Sequence, residues 1–318
     1  MNVKDYGAVG DGVTDDTLAI QNAIVDRWNT VSTNSYYALA SFGAIYFPAG
    51  TYLVSNSLKL YPNIILYADS RDSVTIRAVA GASDACIMRT VDSLGQTAYN
   101  LGTNNAKLPD KILLSGLTLD ASLNSGMDGI KLQRASDIRI VDCRIAGNWQ
   151  RGISINSGTA GIRIETIGAQ PLSKRIRISH TEVKNFVNLV YSNEPTQYLT
   201  IESNYFTNGW EGLNFARVPV AGGPNFIKAS DNVFKAIDDN GIYCNSTGGI
   251  ASSNNMFDDV GVTNSAYAIM FDAAASGCSS IGDQFGPTIP VTKRVLSVNI
   301  TQNTLVGPGL PASPVYDP

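Results

Sequence analysis

The sequence predicts an all-β fold, a right-handed parallel β-helix (a solenoid of stacked short strands) opened by an N-terminal capping α-helix. Three observations carry that reading. An eight-residue strand pattern recurs along the chain, a second short strand follows most copies, and one polar position keeps its place within the pattern. A β-sandwich is the alternative, because the period is not uniform.

Six segments align on the pattern: Ile138–Ile145, Ile176–Val183, Leu199–Phe206, Ile227–Phe234, Ile250–Phe257 and Cys278–Phe285, with a looser copy at Ile112–Leu119. Their closing apolar residues are spaced by 26, 38, 23, 28, 23 and 28 residues. The second strands are Gly152–Asn156, Gly212–Phe215, Gly241–Asn245 and Ala268–Asp272. Side chains alternate between the two faces of a strand, so a two-residue apolar period with polar partners builds a coil with a filled interior. Successive coils stack about 4.8 Å apart, which turns each equivalent position into a column. Two residues before the closing position stand Cys143, Thr181, Asn204, Asn232, Asn255 and Asp283. Asparagine tolerates the left-handed conformation and its amide bonds along the axis, so these residues are expected at a turn, with the asparagines left-handed.

Ahead of the coils, Asp15–Asp26 reads as a helix. Thr14 or Asp15 caps it, and Leu18, Ile20, Ala23 and Ile24 form its apolar side. Such a helix would cover the core layer and strand edges at the open end of the solenoid. Gly43–Val54 then reads as the first coil. The domain plan is therefore 1–42 for the N-terminal segment and capping helix, 43–300 for the β-helix, and 301–318 for an extended C-terminal tail rich in Gly and Pro.

Two stretches carry a family resemblance. Val3-Lys-Asp-Tyr-Gly-Ala-Val-Gly-Asp-Gly-Val-Thr-Asp-Asp-Thr-Leu-Ala-Ile-Gln-Asn-Ala-Ile24, followed by Ile45-Tyr-Phe-Pro-Ala-Gly-Thr-Tyr52, resembles the start of the pectate-lyase-like β-helix superfamily. That group includes bacteriophage tailspikes and capsule depolymerases, uronate epimerases, polysaccharide lyases and glycoside hydrolases. The epimerases' Asp-Pro-His-Glu signature and the polygalacturonases' Gly-His-Gly and Asn-Thr-Asp motifs are absent, and Arg175-Ile-Arg177 only faintly echoes the latter group's basic motif. The resemblance therefore points to the tailspike branch. It implies a homotrimer in a virion, made in the host cytoplasm, with a bacterial surface polysaccharide and other virion proteins as partners.

Composition sets outer limits. A formal charge of −4 argues against nucleic acid as a partner, and no apolar run is long enough for membrane insertion. Met1–Asp5 shows no charged segment leading into an apolar one, so no secretion signal is expected. Cys86, Cys143, Cys244 and Cys278 read as small buried hydrophobes of a protein made in a reducing compartment. With one histidine and no paired cysteine spacing, zinc is not expected. Turn and cap roles suffice for Asp11, Asp15 and Asp16, so neither metal nor cofactor is expected.

Three columns carry candidate chemistry. In the turn after the closing position, Trp149, Trp210 and Asp238 share one register, and Gln150, Glu211 and Asp239 the next. Glu211 and Asp239 would then face each other on neighbouring coils, as acid and nucleophile or base, with Asp238 beside them. Like-charge proximity raises one carboxyl pKa and so supplies an acid. Trp149 and Trp210 would stack on sugar rings, with Gln150, Arg151 and Arg217 as further substrate contacts. Solvated turn acids, and tryptophans packed on a neighbouring subunit, are the plainer reading. The second column, Arg139, Arg177 and Lys228, would bind glycan carboxylates, or be simple surface charge. The third places Asp142 and His180 near Arg144, Glu182 and Tyr205, a set suited to β-elimination if His180 is open to solvent. Long insertions after the second strand would wall a groove over Glu194, Arg217 and Asp272. The expected function is a tailspike-like protein that binds and hydrolyses a bacterial surface polysaccharide. The alternatives are a non-catalytic trimeric virion structural or receptor-binding protein, and a polysaccharide lyase or uronate epimerase.

Overall fold

The computed structural model describes residues 1–32, 43–82, 84–92, 95, 109–151, 158–165, 173–193, 196–215, 226–245, 249–261, 266–272, 278–297 and 304–306. Over these residues the chain winds as a right-handed parallel β-helix of three sheets. The first sheet runs from Gly43–Tyr46 to Thr304–Val306, the second from Asp11–Asp15 to Gln284–Phe285, and the third from Leu58–Leu60 to Val295–Ser297. One coil shows the plan: Gln197–Glu202 in the first sheet, Tyr205–Gly209 in the second, Glu211–Phe215 in the third. Each pairs in parallel with its counterpart in the next coil.

The predicted register holds. Leu119, Ile145, Val183, Phe206, Phe234, Phe257 and Phe285 are successive partners in the second sheet. The four phenylalanines stack with centroids 5.2, 4.8 and 5.4 Å apart and rings within 24° of parallel. Phe206, Phe234 and Phe257 are fully buried, each worth about 1.5–3 kcal/mol of apolar burial.

The polar column is a buried hydrogen-bond ladder at the corner between the first and second sheets. The amide N–H groups of Cys143, Thr181, Asn204, Asn232 and Asn255 each donate to the side-chain oxygen of the column residue one coil on. The Nδ2 groups of Asn204, Asn232 and Asn255 add a second bond along the axis, each 2.9–3.0 Å long. Asp283 closes the run, also accepting from the hydroxyls of Ser252 and Ser280 at 2.7 Å. One expectation is corrected. The left-handed residues are those just before the ladder, Asp142, His180, Ser203, Asp231, Asn254 and Gly282, with φ between 51° and 72°. They turn the chain so that the ladder side chains can point inward along the axis.

The N-terminus also departs in detail. The helix is Thr17–Ser32, starting two residues later than expected. Asp15 accepts from Thr17 N at 3.0 Å, whereas the buried Asp16 carboxylate turns back to Val9 N and Gly10 N at 2.6 and 3.0 Å. Ile20, Ala23 and Ile24 face the core, but Leu18 is 72% exposed, because it lies on the opposite side of the helix. Asp11 accepts from Val13 N and Thr14 N and so shapes a turn. Asp11–Asp15 is itself a strand on Gly50–Val54, and Thr304–Val306, inside the expected tail, joins the first sheet. All four cysteines are buried and none forms a disulfide. Among the described residues no helix is long and apolar enough to cross a membrane.

The ladder makes a stability prediction. Asn232→Ala strips acceptors from Asn204 N and Nδ2 and a donor from Ile201 O. Unsatisfied buried groups cost about 1–3 kcal/mol each, so urea denaturation should show a loss of at least about 2 kcal/mol. Asp231→Gly, at the left-handed position beside it, should cost far less.

Candidate functional site

The site is built at the corner between the second and third sheets, where coil length varies. Phe206 pairs with Phe234 on one side of this corner and Leu213 with Ile242 on the other, so the upper coil carries one extra residue in its turn. Consequently Gly212 N donates to Asn240 O and Asp239 N to Trp210 O. Asp239 N meets Trp210 O as Glu211 N meets Val187 O one coil below, where Glu211 pairs with Asn188, so Asp239 stands against Glu211 and Asn240 is the extra residue that follows it. Gly212 and Gly241 follow directly, packed so tightly that a Cβ on either would collide with backbone and with a ring of the phenylalanine stack. Glu211 is therefore held at a corner that rests on the core, with Asn240 buried beside it.

Glu211 is partly buried. Burial pushes its carboxyl from 4.5 up to about 7, and the charge of Asp239 adds to the rise, while hydrogen bonds from the side chains of Asn240 and Asn214 oppose it. Asn214 Nδ2 donates both to Glu211 Oε2 and, at 2.8 Å, to Asn188 Oδ1. Asn214 belongs to an outward column on the third sheet that runs Arg163, Tyr191, Asn214, Tyr243. The Arg163 guanidinium lies 5.0 Å over the Tyr191 ring and is anchored by the buried Asp128 at 2.6 Å. Tyr243 donates to Asp272 at 2.8 Å, and burial followed by that bond pushes its phenol up to about 12. The face around Glu211 is thus a set of amides and protonated phenols, groups that hydrogen-bond sugar hydroxyls. Asn214 and Tyr243 lie in second strands read from the sequence, whereas the strands of Arg163 and Tyr191, Ala160–Glu165 and Asn188–Ser192, were not among them, so the column emerges only in the folded chain.

The other expected residues divide. Asp238 is buried and ion-paired to Arg151 Nε, and Arg151 also reaches Asp259 at 2.8 Å, so the pair straps the turn beside Glu211. Trp210 is partly buried, whereas Trp149 is 5% exposed and two coils away, with Asn185–Val187 between them. Gln150 is exposed. Arg217 and Glu194 lie outside the described residues, as does the strand expected at 152–156. Among the described residues no group of three potential ligands is placed to hold a metal ion.

The two remaining columns also form. Arg139, Arg177 and Lys228 are exposed at one register of the first sheet, with Thr200 between the last two. His180 is exposed, in a hollow of about 400 Å³ that also meets Arg71, Asp142 and Tyr205. Arg144 is held by Glu182 at 2.7 Å and Asp72 at 2.9 Å. Arg71 lies 3.6 Å from Asp142 and donates to the carbonyls of Cys143 and His180.

Comparison with known proteins follows this geometry. Residues 1–266 match the family described as "Rhamnogalacturonase A/epimerase, pectate lyase-like". Similar curated proteins include a non-secreted LysM effector of Penicillium expansum, 34% identical over 50% of this chain, and the pre-neck appendage protein of Bacillus phage phi29, 29% identical over 64%. The alignments cover 13% and 22% of those proteins' own lengths. Among solved structures, the phiAB6 tailspike, in complex with oligosaccharides of Acinetobacter baumannii surface polysaccharide, superposes with a TM-score of 0.57. The match covers 93% of this chain and 47% of that one at 13% identity, a likeness of fold.

The raised Glu211 pKa has a consequence for stability. In the unfolded chain the group ionises near 4.5 and in the folded protein near 7, so stability falls as pH rises between those values and stays reduced above. Glu211→Gln should therefore be more stable than the parent at pH 8, by up to about 3 kcal/mol before solvent screening, with the gain vanishing below pH 4.5. Urea midpoints at the two pH values check this. An equal difference at both would rule it out.

Proposed function

The chain belongs to the rhamnogalacturonase A/epimerase, pectate lyase-like family, and from that premise we propose that it is a phage tailspike-like protein that binds a bacterial surface polysaccharide and hydrolyses it at the Glu211 corner. One observation carries the reading: a carboxyl that holds its proton to about pH 7, beside a second carboxylate, on a face of amides and phenols. Glu211 donates that proton to the glycosidic oxygen as the bond to the anomeric carbon breaks. Asp239 attacks that carbon, or takes a proton from the water that does. Asn214 and Asn240 orient Glu211, and Arg151 with Asp238 fixes the turn. The phage appendage relative and the tailspike neighbour support the polysaccharide and a virion location. Homotrimer formation and contact with other virion proteins belong to the same proposal. A non-catalytic receptor-binding trimer is the reading left standing if the carboxyls prove inert.

A lyase or epimerase centred on His180 is the second reading, favoured by the histidine's exposure in its hollow. It is the weaker one. Elimination beside a uronate needs a cation free to neutralise the carboxylate, and Arg144 and Arg71 are both already engaged by acids.

Reducing-end assays on a panel of capsular polysaccharides decide between these readings. Glu211→Gln and Asp239→Asn should each lower turnover by at least about 100-fold. The parent's activity should fall above about pH 7, as Glu211 loses its proton. Full activity in both variants would falsify the assignment, and product absorbance from an unsaturated sugar, lost in His180→Ala, would move the chemistry to the second hollow.

A further inference from the structure

A second surface lies on the first sheet, away from the Glu211 corner. A hollow of about 730 Å³ opens there over Ile65 and Leu113, rimmed by Lys111, Arg139, Arg175 and Arg177. Two of these cations are matched, Arg175 by Asp137 at 2.5 and 2.6 Å and Arg177 by Glu202. Lys111 adds its charge to that of Arg175 beside Asp137, whereas the side chains of Arg139 and, farther along the register, Lys228 form no ion pair or hydrogen bond among the described residues. Beside the cations, Tyr198 and Phe226 stack at 5.4 Å with rings 8° apart, yet stand 54% and 68% exposed. Phe226 is followed in its column by Gly249, so among the described residues that column places no side chain over its upper face. Both aromatics hold positive φ, 58° and 68°, a conformation that bulky residues occupy at a cost.

We propose that this strip is a non-catalytic anchoring site for an acidic polysaccharide. The open face of Phe226 holds a sugar ring, and Arg139 and Lys228 hold its carboxylates. Charge complementarity selects the occupant: the unmatched groups are cations, so the ligand carries regularly spaced anions. From Lys111 to Phe226 the strip spans four coil spacings, about 19 Å, which suits a chain molecule better than a single small anion. The ligand class rests on the polysaccharide reading above, but the site does not depend on hydrolysis at Glu211.

Native-gel retardation of the full chain in alginate or polygalacturonate, with dextran as neutral control, tests the strip. Retardation is expected in the polyuronates alone. Arg139→Gln, and Tyr198→Gly combined with Phe226→Gly, should each weaken it about tenfold. The glycine pair removes the rings while relieving the backbone, so its unfolding midpoint should not fall. Glu211→Gln should be retarded like the parent, which separates this site from the hydrolytic one: lost hydrolysis with intact, Arg139-dependent retardation leaves the strip standing. No retardation in either polyuronate would overturn the proposal, as would variants retarded like the parent. Equal affinity for polyglutamate or oligothymidylate would also overturn it, pointing to an acidic protein or general polyanion binding.

Discussion

A solenoid of parallel coils works only if every coil stacks at one register, because a slide of one residue turns its apolar side chains outward. The buried amide ladder enforces that register here. Each Asn204, Asn232 or Asn255 side chain bonds to the coil on either side, so a slip strands several donors and acceptors at once, at about 1–3 kcal/mol apiece. The phenylalanine stack, two residues farther on, tells the same story in apolar terms. Since ladder and stack belong to adjacent positions, polar and apolar devices lock the same corner. Asp283 ends the run with a carboxylate whose oxygens are met by amides and two serines, so the ladder does not end on a bare acceptor.

With one corner locked, another is free to vary. Six residues lie between Phe206 and Leu213, and the next coil fits seven between Phe234 and Ile242 without disturbing either sheet. That extra residue, Asn240, follows Asp239 in the turn and brings a side-chain amide to Glu211. Glu211 thus has a neighbouring charge in Asp239 and two amide donors in Asn214 and Asn240. The raised pKa marks a local destabilisation of up to about 3 kcal/mol, comparable to one or two rungs of the ladder. The register devices elsewhere in the coil can offset it.

This contrast also explains what the sequence could reveal. The interior column from Leu119 to Phe285 and the ladder from Cys143 to Asp283 were legible because burial imposes one side-chain type at one spacing. The position of the left-handed residues was misread by one, because Asn is suited both to that conformation and to amide bonding, and sequence alone does not separate the two uses. Glu211 was legible as a turn acid with Asp239 on the next coil, whereas the amide that Asn240 brings to Glu211 was not, because a one-residue difference in loop length leaves no mark on the repeat. Trp149 looked like a sugar platform on chemical type, and burial decided otherwise. The column Arg163, Tyr191, Asn214, Tyr243 went unseen since outward positions tolerate mixed types and show no periodic signature.

The two columns of left-handed residues carry the last step. At the ladder corner the conformation falls mainly to Asp, Asn, Ser and Gly, residues that adopt it cheaply or bond locally. At the entrance to the first sheet the same conformation passes through Asn63, Lys111, Asp137, Arg175, Tyr198, Phe226 and Gly249. Asn63 and Gly249 show that this corner accepts undemanding residues. A bulky L-residue there costs on the order of 1–2 kcal/mol, and an aromatic left exposed regains little of it by burial. The fold therefore does not account for Tyr198 and Phe226, whereas it does account for the Asp, Asn, Ser and Gly residues of the ladder corner. An overall charge of −4 is compatible with a basic strip at this edge, because stacking in columns sorts surface charge by register and not by composition. Where a repeat protein keeps costly residues in a column that cheaper ones could fill, the reason lies on the side of the column that faces outward.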